Sequence, residues 1–285
     1  MSQPTAFIEG IALWAPSLPG WSVARAAFRG EGAGTVPPAR RPSPELLPAP
    51  ERRRAPDAVA LALEVATQAV AQSGRRTDEM LSVFTSAHGD LAVTDYLCNM
   101  LVSAPMLISP TKFLNSVHNA ASGYWGIGTG CLQASTAVSA FECSFAAGLL
   151  EALTQCTADG RPVLLVGSDT QATGALASTN DSRGLLAAAL VIAPQRSART
   201  LAALEWSLAG GAAARIPLKS EAALPLATNA ISDALPLFEA LARCDAAAMS
   251  MPLSAALALR VRLQFPGAHR QPPSTAAAQP AYFEA

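Results

Sequence analysis

A chain of 285 residues with 51% hydrophobic residues, 14% charged residues and a formal net charge of -1 is long enough to bury roughly three quarters of the surface its unfolded form exposes. That balance excludes a disordered tail protein, a collagen-like chain and a polybasic nucleic-acid binder. Charge is sparse beside the roughly one quarter usual in globular domains, and lysine occurs only at Lys112 and Lys219. Part of this reflects an alanine-rich base composition, and the rest points to a surface partly covered by another molecule.

In chain order, residues 6–14 read as a first strand. Residues 32–56 are rich in Pro and Arg and read as a surface loop or cover segment, since repeated Pro denies ladder and helix hydrogen bonds. From Asp57, a plausible cap, apolar residues recur at helical spacing to Gln72, and Gly74 stops the run. MLSVFTSAHGD, residues 80–90, is a buried strand leading into a loop, and residues 95–104 form a short helix ending near Pro105. A dense aromatic and polar block, 108–130, comes next. STAVSAF, 135–141, reads as a strand, 142–157 as a helix and PVLLVGSD, 162–169, as a buried strand. GLLAAALVIAP and LAALEWSLAG, 184–194 and 201–210, follow with little between them and read as two adjacent strands. A helical region covers 225–243, residues 253–265 make a last strand, and 266–285 form a Pro- and Ala-rich tail. The near-continuous apolar strands predict an α/β fold whose sheet is covered on both faces.

No uninterrupted apolar run reads as a membrane span, and the N-terminus lacks the features of a signal peptide. Five cysteines (Cys98, Cys131, Cys143, Cys156 and Cys244) have no metal-ligand spacing. They read as reduced thiols, mostly in the core, of a cytoplasmic protein with no metal and no cofactor. GIGTG, 126–130, lacks the G-x-G-x-x-G spacing of a dinucleotide site. Of His88, His118 and His269, His118 could pair with Cys143 and be oriented by Asp169 as a nucleophilic arrangement, although Cys143 and His118 each also fit an ordinary packing role. His118, Asn119, Gly123, Tyr124 and Trp125 read as a contact surface, because aromatic side chains bury large areas and favour interface centres.

SPTKFLNSVHNAASGYWGIGTGCLQASTAVSAFECSFAAGLLEAL followed by RPVLLVGSD resembles the N-terminal half of a thiolase-fold β-ketoacyl synthase, over about residues 6–200. The resemblance implies a single thiolase-like α/β domain over 1–265 with the C-terminal half largely missing. In that family a nucleophilic cysteine starts the long helix after the interface block. Matching Gly123 to the family glycine, or counting back from Gly167, brings Glu142 onto the nucleophile position, with Cys143 one place further on. The family's two catalytic histidines and a lysine lie in the C-terminal half, and His269 matches neither histidine motif.

A relative of this kind looks like a chain length factor, and SVHNAASGYWGI with SFAAGLLEAL is similar to the short ketosynthase-like subunits of aryl polyene and xanthomonadin-type pigment clusters. The resemblance implies a heterodimer with a full-length β-ketoacyl-ACP synthase, transient contact with acyl carrier protein, and no independent catalysis. Asn119, Gly123, Tyr124, Trp125, Phe141 and Glu142 would line the interface or the partner's acyl tunnel. Two rival readings stand beside it. One is an acyl hydrolase or acyltransferase with Glu142 as base or Cys143 as acyl acceptor. The other is a free-standing homodimer that binds acyl carrier protein.

Overall fold

The structure, a computed structural model, describes residues 3–31 and 40–266. The first part of the expected cover segment, 32–39, and the expected tail beyond residue 266, including His269, lie outside the described residues.

A single mixed sheet organises the chain. Its strands are β1 (Thr5–Ala15), β2 (Leu18–Pro19), β3 (Leu81–Thr85), β4 (Ser135–Val138), β5 (Val163–Asp169), β6 (Leu186–Ala193), β7 (Ala202–Gly210), β8 (Ala248–Ser254) and β9 (Leu257–Gln264). Their spatial order is β4-β3-β5-β6-β1-β7-β9-β8, with β2 paired onto β1. β4, β3 and β5 run parallel, and the remaining neighbours are antiparallel. The helices are α1 (Trp21–Phe28), α2 (Ala49–Arg54), α3 (Asp57–Ser73), α4 (Leu91–Ser103), α5 (Pro110–Leu114), α6 (Ala120–Thr129), α7 (Ser144–Asp159) and α8 (Leu235–Arg243).

The two-residue period of the strands divides their side chains between two cores. Val163 and Leu165 of β5 and Leu190 and Ile192 of β6 face a core shared with Phe28, Phe145 and Phe238 of α1, α7 and α8. Leu164 and Val166 of β5 and Ala189 and Val191 of β6 face the other core, built with α3 and closed by Trp125 of α6. The sheet is therefore covered on both faces over β3, β5, β6 and β1, as their apolar strands require. In contrast, β7, β9 and β8 give no residue to the α3 core and β9 leaves Arg260 and Arg262 exposed, so the two-sided cover expected from the sequence holds for only part of the sheet. α7 sits unusually close to it. A Cβ on Gly148 would lie 2.8 Å from Thr85 Cγ2, and one on Gly167 would lie 2.8 Å from Phe145 Cδ2, so only glycine fits at either position.

Several boundaries differ from the expectation. The strands at 184–194 and 201–210 are not neighbours: β1 lies between β6 and β7 and pairs with both. Asp57 is the first residue of α3, and Pro56 occupies the cap position. Part of the cover segment is helical, because Pro50 falls in the first turn of α2, where its missing N–H removes no helix bond. The 225–243 region holds only a short α-helix, α8, preceded by separate 3-10 turns at Leu224–Leu226 and Ser232–Ala234. The last strand is one arm of a hairpin, β8 and β9. Of the five free cysteines only Cys156 is buried, so the thiols are not mostly core residues.

Replacing Phe145, fully buried between the sheet and Phe238, with alanine is expected to lower the unfolding free energy by about 3–5 kcal/mol. Urea denaturation followed by circular dichroism measures the change.

Candidate functional site

The turn between β4 and α7 carries the residues singled out in the sequence. Ser144 is fully buried, and its hydroxyl accepts from the Ala140 N–H at 3.0 Å and donates to the Phe141 carbonyl at 2.6 Å. Thr85 Oγ1 donates to the Ser144 carbonyl at 2.7 Å, tying the turn to β3. These bonds end the strand at Val138 and hold Phe141 at a φ of 54°. A non-glycine residue in that region carries strain, which persists only where the surroundings impose it. Phe141 is nonetheless 72% exposed, and its ring meets His88 edge-on at a centroid distance of 5.5 Å.

Glu142 is exposed and pairs with Arg215 at 2.8 Å. Cys143 is half-buried at the start of α7. Burial, with smaller contributions from the charges of Asp233 and Glu142, pushes its thiol above the usual range. His118 is not its partner: the ring nitrogen Nε2 lies 2.9 Å from the Ser86 carbonyl. Asp169 is not its orienter either. Its carboxylate accepts from Ser86 Oγ at 2.8 Å, the Ala87 N–H at 2.7 Å and the His88 N–H at 3.3 Å. Those contacts fix the loop after β3, while burial raises the Asp169 carboxyl to about 6.

Beside the turn opens a cavity of about 350 Å³ lined by Glu142, Cys143, Arg215, Asp233 and apolar side chains that include Ile216 and Met251. Arg215 and Asp233 escape sequence reasoning, because they lie 73 and 90 residues downstream of Glu142 and Cys143 respectively and no local motif links them. Asp233 Oδ2 accepts from the Ala146 N–H at 2.9 Å, and its Oδ1 is buried with no hydrogen-bond partner among the described residues. Burial raises its carboxyl to about 7.

The second feature is a broad face. Between Asp95 and Glu142 the only Asp, Glu, Lys or Arg is Lys112. Yet this stretch exposes Leu101, Met106, Phe113, Ile127, Leu132 and Phe141, each more than 60% accessible. β4 borders this face as the last strand of the sheet, bonded among the described residues only to β3, with its residues exposed or half-buried. Asn119 and Gly123 are exposed on α6 and the turn before it, and Tyr124 is half-buried. Trp125 turns inward and is 3% accessible in the α3 core.

Among the described residues no cluster of His, Cys, Asp and Glu could hold a metal ion, and no helix is long and apolar enough to cross a membrane. Residues 29–253 match the family described as β-ketoacyl synthase, N-terminal domain, and the chain belongs to that family. No curated protein matches it. Solved structures share its fold. A chain of the ketosynthase ApeO in complex with its chain length factor ApeC from Xenorhabdus doucetiae is 22% identical, with a TM-score of 0.68 over 90% of this chain and 99% of that one. The ishigamide ketosynthase/chain length factor is 16% identical, with a TM-score of 0.70 over 92% and 99% of the two chains. A β-ketoacyl synthase from Burkholderia phymatum STM815 is 14% identical, with a TM-score of 0.56 over 84% and 71%. The α/β thiolase-like fold inferred from the sequence is thereby shown.

Asp233 has a pH signature. Its folded carboxyl titrates at about 7, above the roughly 3.9 of an unfolded aspartate. Folding thus favours the protonated form, and its contribution is fully present below the unfolded value and lost as pH rises through about 7. Asp169, raised to about 6, acts in the same direction. The urea midpoint is therefore expected to fall from about pH 5 to about pH 8. Asp233→Asn, whose carbonyl can keep the Ala146 bond, should flatten that slope.

Proposed function

We propose that this chain is a non-catalytic, chain-length-factor-like subunit that pairs with an active β-ketoacyl-ACP synthase and supports elongation of a polyene or polyketide chain delivered by acyl carrier protein. The observation that carries this reading is the apolar face between Asp95 and Glu142, almost free of charge and bordered by the open edge of β4. An uncovered edge of this kind invites pairing with another chain, and large exposed apolar patches mark interaction sites. The partner assigned is a ketosynthase, because structures of ketosynthases with their chain length factors share this fold. In this reading the exposed Phe141, at the end of the apolar face, reaches toward the partner's acyl tunnel. Asn119 and Gly123 lie in the contact, and the aryl polyene-type product follows from the resemblance of the α6 and α7 segments.

The electrostatics of the turn favour this over an acyl hydrolase or acyltransferase. A thiol pushed up by burial and by neighbouring carboxylates holds little thiolate at neutral pH. Glu142 is held in a surface ion pair with Arg215, and among the described residues it makes no hydrogen bond to a thiol.

Two measurements test the assignment. Mixed with its cognate ketosynthase, the chain is expected to elute as a complex. Leu132→Arg, which places an unpaired charge on the face, should cost about 3 kcal/mol or more of association, roughly a hundredfold in Kd. A stable monomer that ignores the ketosynthase, or a homodimer through the same face, would overturn the assignment. Cys143→Ser is expected to leave condensation by the pair unchanged, and intact-mass measurement after exposure to acyl carrier substrate should show no adduct on this chain. An acyl group found on Cys143 would make it an enzyme in its own right.

A further inference from the structure

We propose that a second cavity, separate from the one beside the β4–α7 turn, is a binding site for a phosphorylated small molecule. It has a volume of about 590 Å³ and lies between the first turns of α3 and α4, α5 and the loop after β5. Five cationic side chains line it, Arg40, Arg41, Arg53, Arg54 and Lys112, against two carboxylates, Asp57 and Asp90. Both carboxylates are already engaged. Asp57 pairs with Arg41 at 3.3 Å, and Asp90 accepts from the Val93 N–H at 3.0 Å and the Ala58 N–H at 3.4 Å. Arg40, Arg53, Arg54 and Lys112 have no ion-pair partner among the described residues, although the Lys112 ammonium rests 5.2 Å from the centre of the Tyr96 ring.

The second, independent observation is polar and buried. Thr170 and Thr173 line the same cavity, and the hydroxyl of each is buried with no hydrogen-bond partner among the described residues. Thr170 is only 5% accessible. A buried hydroxyl left unpaired is costly, and nearly all such groups in folded proteins find a partner. Two hydroxyl donors and four cations outside any ion pair exceed what the two oxygens of a carboxylate accept, whereas a phosphate offers three or more oxygens of higher charge. The volume falls within the range of small-molecule pockets, so it has room for an organic group attached to the phosphate. From the charge-poor segment the cavity takes Thr111, Lys112 and Asn115, it shares none of the exposed apolar side chains of the docking face, and it does not depend on the function proposed for that face.

Calorimetric titration of the full chain at constant ionic strength, with sodium chloride as the balancing salt, tests the proposal. Inorganic phosphate and phenyl phosphate are expected to bind saturably. Thr170→Val, which keeps the shape and removes the hydroxyl, should weaken binding about tenfold, and Arg54→Glu, on the exposed rim where folding is not at risk, should abolish it. Dimethyl phosphate separates the sources: equal binding points to a phosphodiester, and weaker binding to a phosphomonoester. The absence of saturable binding, or phosphate binding that neither variant changes, would overturn the site and leave only nonspecific attraction to a basic surface.

Discussion

The placement of every residue around the β4–α7 turn depends on how closely α7 approaches the sheet. Gly148 and Gly167 leave no room for a Cβ between helix and strands, so the start of α7 is fixed against β3 and β5. Close-packed interiors transmit displacement instead of absorbing it. The turn before the helix inherits that rigidity through Ser144, fully buried and bonded on both sides. Phe141 is held in its strained conformation as a consequence, exposed to solvent at the boundary between the apolar face and the cavity of Asp233.

The same sheet explains where the chain's few charges are absent. Helices close both faces over β3, β5, β6 and β1, the β7-β9-β8 side keeps one face exposed through Arg260 and Arg262, and the sheet ends in two edges. At one, β8 carries Pro252 and a register shift beside it, and both features blunt an edge against further pairing. At the other, β4 carries no proline and no charge, and it belongs to a segment, 96–141, whose only Asp, Glu, Lys or Arg is Lys112 and which exposes several large apolar side chains. An edge protected on one side and open on the other fits a sheet whose open side is covered by a neighbour. The scarcity of charge is thus concentrated in one segment of the chain, which an alanine-rich composition alone does not require.

Much of this is legible in the sequence, for reasons that differ by element. β5 and β6 announce themselves as apolar runs because both of their faces are buried, and α3 by its helical spacing and the left-handed Gly74 that ends it. Strand order is not legible. β6 and β7 are consecutive in the chain, yet β1 inserts between them, through pairs as distant in sequence as Thr5 and Glu205 that no local pattern encodes. Among the site residues the aromatic block is visible, but not which way each ring points. Trp125 sits beside Tyr124 in sequence, and the roughly 100° step of a helix turns it into the α3 core. Arg215 and Asp233 are invisible because only the folded chain brings them to the turn.

The start of α7 shows why position on a helix does not by itself make a nucleophile. The first amides of a helix normally stabilise a thiolate and lower the pKa of a cysteine placed there. Here the Ala146 N–H is already occupied by the Asp233 carboxylate, which puts a negative group where the helix would otherwise offer a positive one. Asp233 and Glu142 both raise the Cys143 thiol, and the opposing effect of Arg215 is smaller than either. Counting from Gly123 and Gly167 leads to Glu142, and the backbone strain falls one residue earlier, on Phe141. Of the three neighbours, the strained one has no ionisable group, the carboxylate is held in a surface pair, and the thiol is kept protonated. The turn keeps its rigid geometry, while the electrostatics around it oppose the thiolate that acyl transfer would need.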